Sequence, residues 1–334
     1  MKFGIRLIDY LGSVRRRVEL TVLAEQAGFD FAWYPHDTFM HNTWVLTSAA
    51  AVATSRIRLG SVGTNPFTTN PAEIATYIAS LDELSGGRAV LGLGLHTHEM
   101  VEWTGVDASE SVAATREATE IIRALLRGEV VDYQGEIFQW TDQCYLRLEP
   151  VRREVPIYVC AFGPDYLALS GAIGDGSLPM ITPPESAAYM VPAITGGAVA
   201  AGRDPAEVDI SGCAWLSLAA DPSAPTDVLR RMVSYFGWGL EAPALATIGL
   251  TPADFAPIKT HIDAGDYAGA EALVTDDMCR LALAGTPRQV IGQIERLAEL
   301  GVTHVNLGGP LGPDPAEAIR LMGEQVIPYF RSST

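Results

Sequence analysis

The sequence predicts a (β/α)8 TIM barrel formed as a single domain over residues 1–334. Three observations carry that expectation. Short apolar runs alternate with stretches whose apolar residues recur at the helical period, which is how strands and helices read when they follow one another. The alternation can be followed through about eight units, the number that closes a parallel barrel. Near the two ends, VLAEQAGFDFAWY and RLAELGVTHVNLG share one plan: a helix, a glycine suited to a left-handed cap, then a buried strand.

In chain order, FGIRLI opens as the first strand and is followed by a helix ending in LAEQAGF. DFAWY gives the second strand, with a helix through VLTSAAAVAT. RIRLGSV gives the third, with a helix from Pro71 to about Leu84 whose leading proline suits a first turn that needs no amide donor. RAVLGLG is the fourth, followed by a helix near residues 111–127. PIYVCA with the short helix YLALSGAI forms the fifth unit, and GSLPMI with a helix near 185–201 the sixth. DISGCAWLSLAA is the seventh strand and THVNLGG the eighth, preceded by PRQVIGQIERLAEL and followed by PAEAIRLMGEQVIPYF. Two stretches interrupt the alternation. Residues of about 129–148 read as a β-hairpin, and those of about 240–284 as helical and irregular. Both read as insertions over the C-terminal face, the second across the substrate entrance, because long excursions in a compact domain are commonly lids or binding loops.

Composition removes several classes of function. Hydrophobic content of 48% with 19% charged residues suits a well-cored globular protein, and no apolar run approaches the roughly 20 residues of a membrane span. A net charge of −17 would repel a polyphosphate backbone, so no nucleic-acid partner is expected. Cys144, Cys160, Cys213 and Cys279 are widely spaced, which suggests neither a disulfide framework nor a zinc ribbon. The start MKFGIRLIDYLG lacks the features of a secretory signal, so cytoplasmic residence is expected.

Barrel enzymes carry their sites on the loops after the strand C-termini. Those loops hold Pro35-His36-Asp37, Ser61 to Asn65, Leu95 to Glu99, Ala161 to Pro164 and Met180 to Pro183, and four of the six histidines (His36, His41, His96, His98) fall among them. His36 reads as a proton donor or acceptor, a neighbour of a bound ring, or a satisfied histidine at a strand end. His96 and His98, two apart, could share a metal ion, but a catalytic zinc wants three protein ligands and only Glu99 and Asp37 are placed to complete a set, so no metal is expected. Gly92-Leu93-Gly94 lacks the rest of a dinucleotide fingerprint. Ala161-Phe162-Gly163-Pro164 joins a strand to a helix, either as a plain turn or as a place where helix-start amides hold a phosphate.

Taken together, LAEQAGFDFAWYPHD, IRLGSVGTNPFTTNPAEIATYIASLDELSGGRAVLGLG, VPIYVCAFGPDYLALSGAIGDG, GTPRQVIGQIERLAELGVTHV and GGPLGPDPAEAIRLMGEQVIPYF resemble the luciferase-like family of flavin- and deazaflavin-dependent oxidoreductases. The likeness is greatest to its branch of coenzyme F420-dependent reductases, which includes methylenetetrahydromethanopterin reductase. The resemblance implies a cofactor ring at the C-terminal mouth and its phosphate on the turn after the fifth strand, at Cys160, Ala161, Phe162, Gly163 and Pro164. It implies a bulge with a non-prolyl cis peptide at Ser61 and Val62 behind the ring, with Gly63 giving slack and Thr64 and Asn65 offering polar groups to the ring edge. The strand-four loop at Gly94, Leu95 and Thr97 would line the same site. Here Thr97 stands where relatives often carry an acid, and Pro35-His36-Asp37 replaces an Asp-His-aromatic triplet.

The activity implied is hydride transfer between C5 of F420 and an imine, enone, or alcohol or ketone, by a homodimer. His36, His96 and His98 are the candidate catalytic groups. A neutral or weakly charged substrate fits the scarcity of basic side chains. The alternatives are an FMN-dependent monooxygenase on the same barrel, a metal-dependent hydrolase built on His96 and His98, and a non-catalytic relative that binds a cofactor without turnover.

Overall fold

The structure is a computed structural model that describes residues 1–95 and 98–332, with only the backbone considered at His98, Glu99 and Ala161. Its strands are β1 Lys2–Arg6, β2 Phe31–Pro35, β3 Arg58–Val62, β4 Ala89–Leu93, β5 Tyr133–Gln134, β6 Gln139–Trp140, β7 Ile157–Ala161, β8 Gly176–Pro179, β9 Asp209–Leu218, β10 Ala282–Gly285 and β11 His304–Leu311. The helices are α1 Val14–Ala27, α2 Thr43–Ala53, α3 Pro71–Ser85, α4 His98–Glu102, α5 Ser111–Leu126, α6 Gly163–Ile173, α7 Ala187–Ala200, α8 Ala224–Phe236, α9 Ala242–Ala246, α10 Pro252–Asp263, α11 Tyr267–Ala272, α12 Pro287–Glu299, α13 Pro315–Leu321 and α14 Ile327–Ser332. Among the described residues no helix is long and apolar enough to cross a membrane.

Parallel pairing runs β11-β1-β2-β3-β4-β7-β8, and β9 joins β8 to β11, closing eight strands into the expected barrel. The glycines of the repeated helix–glycine–strand plan are left-handed at both ends of the chain, Gly28 at φ +90° and Gly301 at φ +95°. Residues 133–140 form an antiparallel hairpin. One element departs from expectation. The end of the 240–284 stretch is not irregular, because Ala282 to Gly285 pair in parallel with Trp215 to Leu218, the half of β9 that extends beyond the barrel. A four-residue apolar run is too short for periodicity to separate strand from helix.

Apolar burial is arranged in three places. A large layer between strands and helices holds Phe3, Ile5, Leu7, Leu59, Leu91 and Val305. The barrel interior is filled by Phe31, Trp33, Val62, Val90, Tyr158, Cys160, Leu178 and Cys213. A separate cluster, with Trp215, Leu229, Leu245, Phe255 and Leu281, buries the long excursion against the extended end of β9. Alternation along β1 therefore sends Phe3 and Ile5 outward to the helices, and Gly4 and Arg6 inward.

The interior is also sealed at its N-terminal end. Phe31 stacks on Trp33 with ring centroids 5.6 Å apart, and Tyr158 meets Trp33 edge-on at 5.1 Å. Below them the Tyr158 hydroxyl donates to Asp209 Oδ2 at 2.7 Å, Lys2 Nζ lies 3.0 Å from the same oxygen, and His304 Nδ1 lies 3.3 Å from it. Burial pushes the Asp209 carboxyl up, but the His304 hydrogen bond and charge, with Lys2 and Tyr158, outweigh it and hold the group below its ordinary range. A depressed folded-state pKa contributes stability above the unfolded value of about 3.9 that is lost as pH falls through the folded value. Asp209→Asn is expected to lower stability by about 2–3 kcal/mol at pH 7 and to flatten its decline as pH falls below about 4, read by urea unfolding at each pH.

Candidate active site

At the opposite end, β2, β3, β4 and β7 bring their C-termini together. β3 and β4 pair at Gly60↔Val90 and meet again at Thr64↔Leu93, so four steps along one strand cover three along its neighbour. The extra residue is a bulge, as expected after IRLGSV. The non-prolyl cis bond expected within it is not found, and that expectation is corrected: the cis bonds among the described residues are Thr182–Pro183 and Gly309–Pro310. Ser61 and Val62 stay in register with Tyr34 and Pro35 of β2, and the irregularity falls one residue later, at Gly63 with φ +76°. A left-handed glycine absorbs an extra residue at small cost, whereas a non-prolyl cis bond costs about 3–4 kcal/mol.

The bulge is held from three sides. Gly63 N–H donates to Cys160 Sγ at 3.1 Å, Thr64 N–H to the Gly92 carbonyl at 3.0 Å, and Gly94 N–H to the Thr64 carbonyl at 2.9 Å. The Thr64 hydroxyl donates to Ser61 Oγ at 2.8 Å, and Asn65 Oδ1 accepts from the amides of Phe67 and Thr68 at 3.1 and 2.9 Å. These polar groups are therefore engaged within the turn, and shape the backbone surface. Gly92 lies directly beneath, since a Cβ there would sit 2.2 Å from the Ser61 carbonyl oxygen.

His36 lies at the end of β2, and its N–H donates to the Val62 carbonyl at 2.8 Å, tying the histidine to the bulge. Among the described residues its buried Nδ1 has no hydrogen-bond partner, nor has the buried Nε1 of Trp44, whose ring lies 6.0 Å away. Burial lowers the His36 pKa below 6.5, against the raising influence of Asp37. The ring is therefore neutral at neutral pH. Between its folded value and 6.5 the unfolded chain binds more protons, so acidification through pH 6.5 costs stability. His36→Asn is expected to remove that part of the acid dependence, measured by thermal melts at pH 7.5, 6.5 and 5.5.

The remaining expected residues are placed as follows. Leu95 is buried with Val101, Ala108, Phe67 and Val106. Cys160 is fully buried, which pushes its thiol well up and keeps it neutral. Phe162 precedes α6 in extended conformation, Gly163 begins the helix at φ +73°, Pro164 follows, and no side chain hydrogen-bonds as its cap. Two carboxylates stand nearby: Asp165 in the first turn, and Glu241 with Oε1 3.8 Å from the Cβ position of Gly163. His96 and Thr97 lie outside the described residues, as do the side chains of His98 and Ala161. Among the described residues no group of three metal-ligating side chains comes together.

A family model described as luciferase-like monooxygenase matches residues 1–304. The chain belongs to the luciferase-like family. This luciferase-like protein is 33% identical over 329 residues to a 5,10-methylenetetrahydromethanopterin reductase of Methanolobus tindarius, across 98% of the chain and all of the relative. It is 29% identical to an F420-dependent glucose-6-phosphate dehydrogenase of Rhodococcus erythropolis, across 99% of the chain and 98% of the relative. The coenzyme F420-dependent tetrahydromethanopterin reductase of Methanopyrus kandleri has a similar structure, with TM-score 0.93 and 31% identity over 98% of this chain and 99% of that one.

Sequence reasoning missed Trp44 and Arg6. Trp44 lies on α2 and reaches the strand ends only through the packing of that helix. For Arg6 a signal existed, the parity that places it on the same face as Gly4 in FGIRLI, but its meaning depends on which face the barrel encloses.

Proposed function

We propose that the chain is a coenzyme F420-dependent oxidoreductase that moves a hydride to or from a small organic substrate. The observation that carries this reading is the near-complete superposition on the Methanopyrus kandleri F420-dependent reductase, with the bulge at Gly60 to Thr64 formed in this chain's own residues. The deazaflavin, when bound, supplies the hydride at C5.

The residues present fit such a group. A polar ring edge suits the orphaned His36 Nδ1 and Trp44 Nε1, and a phosphate suits the amides at the uncapped start of α6. Gly63, Thr64 and Cys160, joined in the bulge, would support the ring, and buried Val62 and Leu95 would exclude water from it. With that group bound, neutral His36 would be able to hold or return a proton at its ring nitrogen. Two copies of the chain per assembly, in the cytoplasm, complete the reading.

Titration with F420 and with FMN, each followed by fluorescence, tests it. F420 is expected to bind at micromolar concentration and to be reduced anaerobically when a secondary alcohol is supplied, or its reduced form to be oxidised when an imine or enone is supplied. Binding of FMN with oxygen consumption, and none of F420, would replace this reading with the monooxygenase one. Light scattering that gives the mass of one chain would remove the dimer.

A further inference from the structure

Among the described residues Arg6 is a buried cation with no anion paired to it. It is 3% exposed, and its side chain shares the interior face with Gly4 at the C-terminal end of β1. Its Nη1 and Nη2 point to Met180 Sδ at 3.6 and 3.7 Å, a weak thioether acceptor, and its Nε has no partner. Among the described residues no carboxylate forms an ion pair with it. The thiols of Cys160 and Cys213 feel its charge, but burial raises both, so neither supplies a thiolate. Burying a guanidinium costs several kcal/mol unless an opposite charge or several good acceptors receive it. The fold nevertheless makes room for it, because a Cβ at Gly308 would sit 2.7 Å from Nη2 and 2.8 Å from Nε.

Its position adjoins the proposed ring seat, since its charge reaches Cys160, whose Sγ accepts the Gly63 amide. His36, the bulge, Gly94 and the turn before α6 come from β2, β3, β4 and β7, whereas the groups around Arg6 are Gly308 of β11, Met180 after β8 and Cys213 of β9, with Cys160 of β7 shared between the two sets. Arg6 therefore stands beside the seat, on the side of the barrel formed by β8, β9, β11 and β1. We propose that Arg6 recognises a carboxylate, or a group of equal charge, on the substrate of this site. The inference rests on the oxidoreductase reading and narrows it to singly charged acids: imines, enones or hydroxy acids whose carboxylate makes a forked pair with the guanidinium. One buried cation suits one negative charge and does not suit a neutral substrate.

The test is calorimetric titration of the whole protein, with and without F420, using benzoate, crotonate and 1-pyrroline-2-carboxylate, each against its neutral amide. At least one acid is expected to bind ten-fold or more tightly than its amide, and Arg6→Gln to remove that preference while Arg6→Lys keeps part of it. Arg6→Met, close in volume, is expected to melt at or above the wild-type temperature, because it removes an unpaired buried charge. No acid preferred over its amide would overturn the inference. So would an Arg6→Gln variant with the preference intact, or one that weakens F420 binding alone. Failure of F420 to bind, with the acid preference present in the free protein, would instead sink the oxidoreductase reading and leave Arg6 as an anion site.

Discussion

Gly92→Ala is expected to weaken cofactor binding on the order of 100-fold while leaving the barrel folded. The added methyl would meet the Ser61 carbonyl oxygen at 2.2 Å, Leu178 Cδ1 at 3.0 Å and Val62 Cα at 3.1 Å. Two of these are backbone atoms of the bulge, so the clash can be relieved only by moving the segment that forms the proposed ring seat. The Thr64-to-Gly92 and Gly94-to-Thr64 hydrogen bonds would be distorted with it. Overpacking of this kind costs about 1–3 kcal/mol of stability, which a chain of this size tolerates. Binding should therefore suffer more than folding. Fluorescence titration with F420 beside a thermal melt separates the two, and Gly196→Ala, where nothing lies within 4 Å, serves as the control. Wild-type affinity in Gly92→Ala would show that the bulge does not seat the ring.

Arg88→Ala should give the largest loss of stability away from the site, about 3–5 kcal/mol. From the start of β4 its guanidinium makes five hydrogen bonds: Nε to the Ser85 carbonyl, Nη1 to Thr54 Oγ1 and the Ile57 carbonyl, and Nη2 to the carbonyls of Ala51 and Thr54. These acceptors close the ends of α2 and α3 and the entrance to β3. Alanine would strand several carbonyls at once, and lysine, with one nitrogen, could not reach them all. Beside it, Asp82 is 1% exposed, accepts from Arg152 Nε at 2.8 Å and Nη2 at 2.5 Å, and receives the Ala89 amide at 3.0 Å. Urea unfolding of Arg88→Ala and Arg88→Lys measures the loss. A change below about 1 kcal/mol in Arg88→Ala would mean that solvent replaces the clamp.

These two residues show what the sequence could and could not convey. GGRAVLGLG was legible as a strand with glycines, and as part of a family resemblance. That its arginine closes two helix ends, and that one glycine admits a carbonyl from the next strand, are facts of register across a closed sheet. The eight barrel strands were legible because each is an apolar run bounded by turn residues, and β10 was not because four residues carry no period. His36 was legible from its place after a strand. The bulge was anticipated in place, but a cis bond cannot be read from Ser61 and Val62 as residue types, and the structure takes up the slack at Gly63. Trp44 and Arg6 escaped because their relevance arises only when distant segments meet.

The plug of Phe31, Trp33, Tyr158, His304 and Asp209 closes the floor of the barrel and leaves the loops after the strand C-termini as the approach to the proposed seat. Two reactants that share one doorway must queue. If the ring seat lies deeper than the guanidinium of Arg6, the coenzyme enters first and leaves last, and steady-state kinetics should be ordered, with the acid acting as a stopper on coenzyme release.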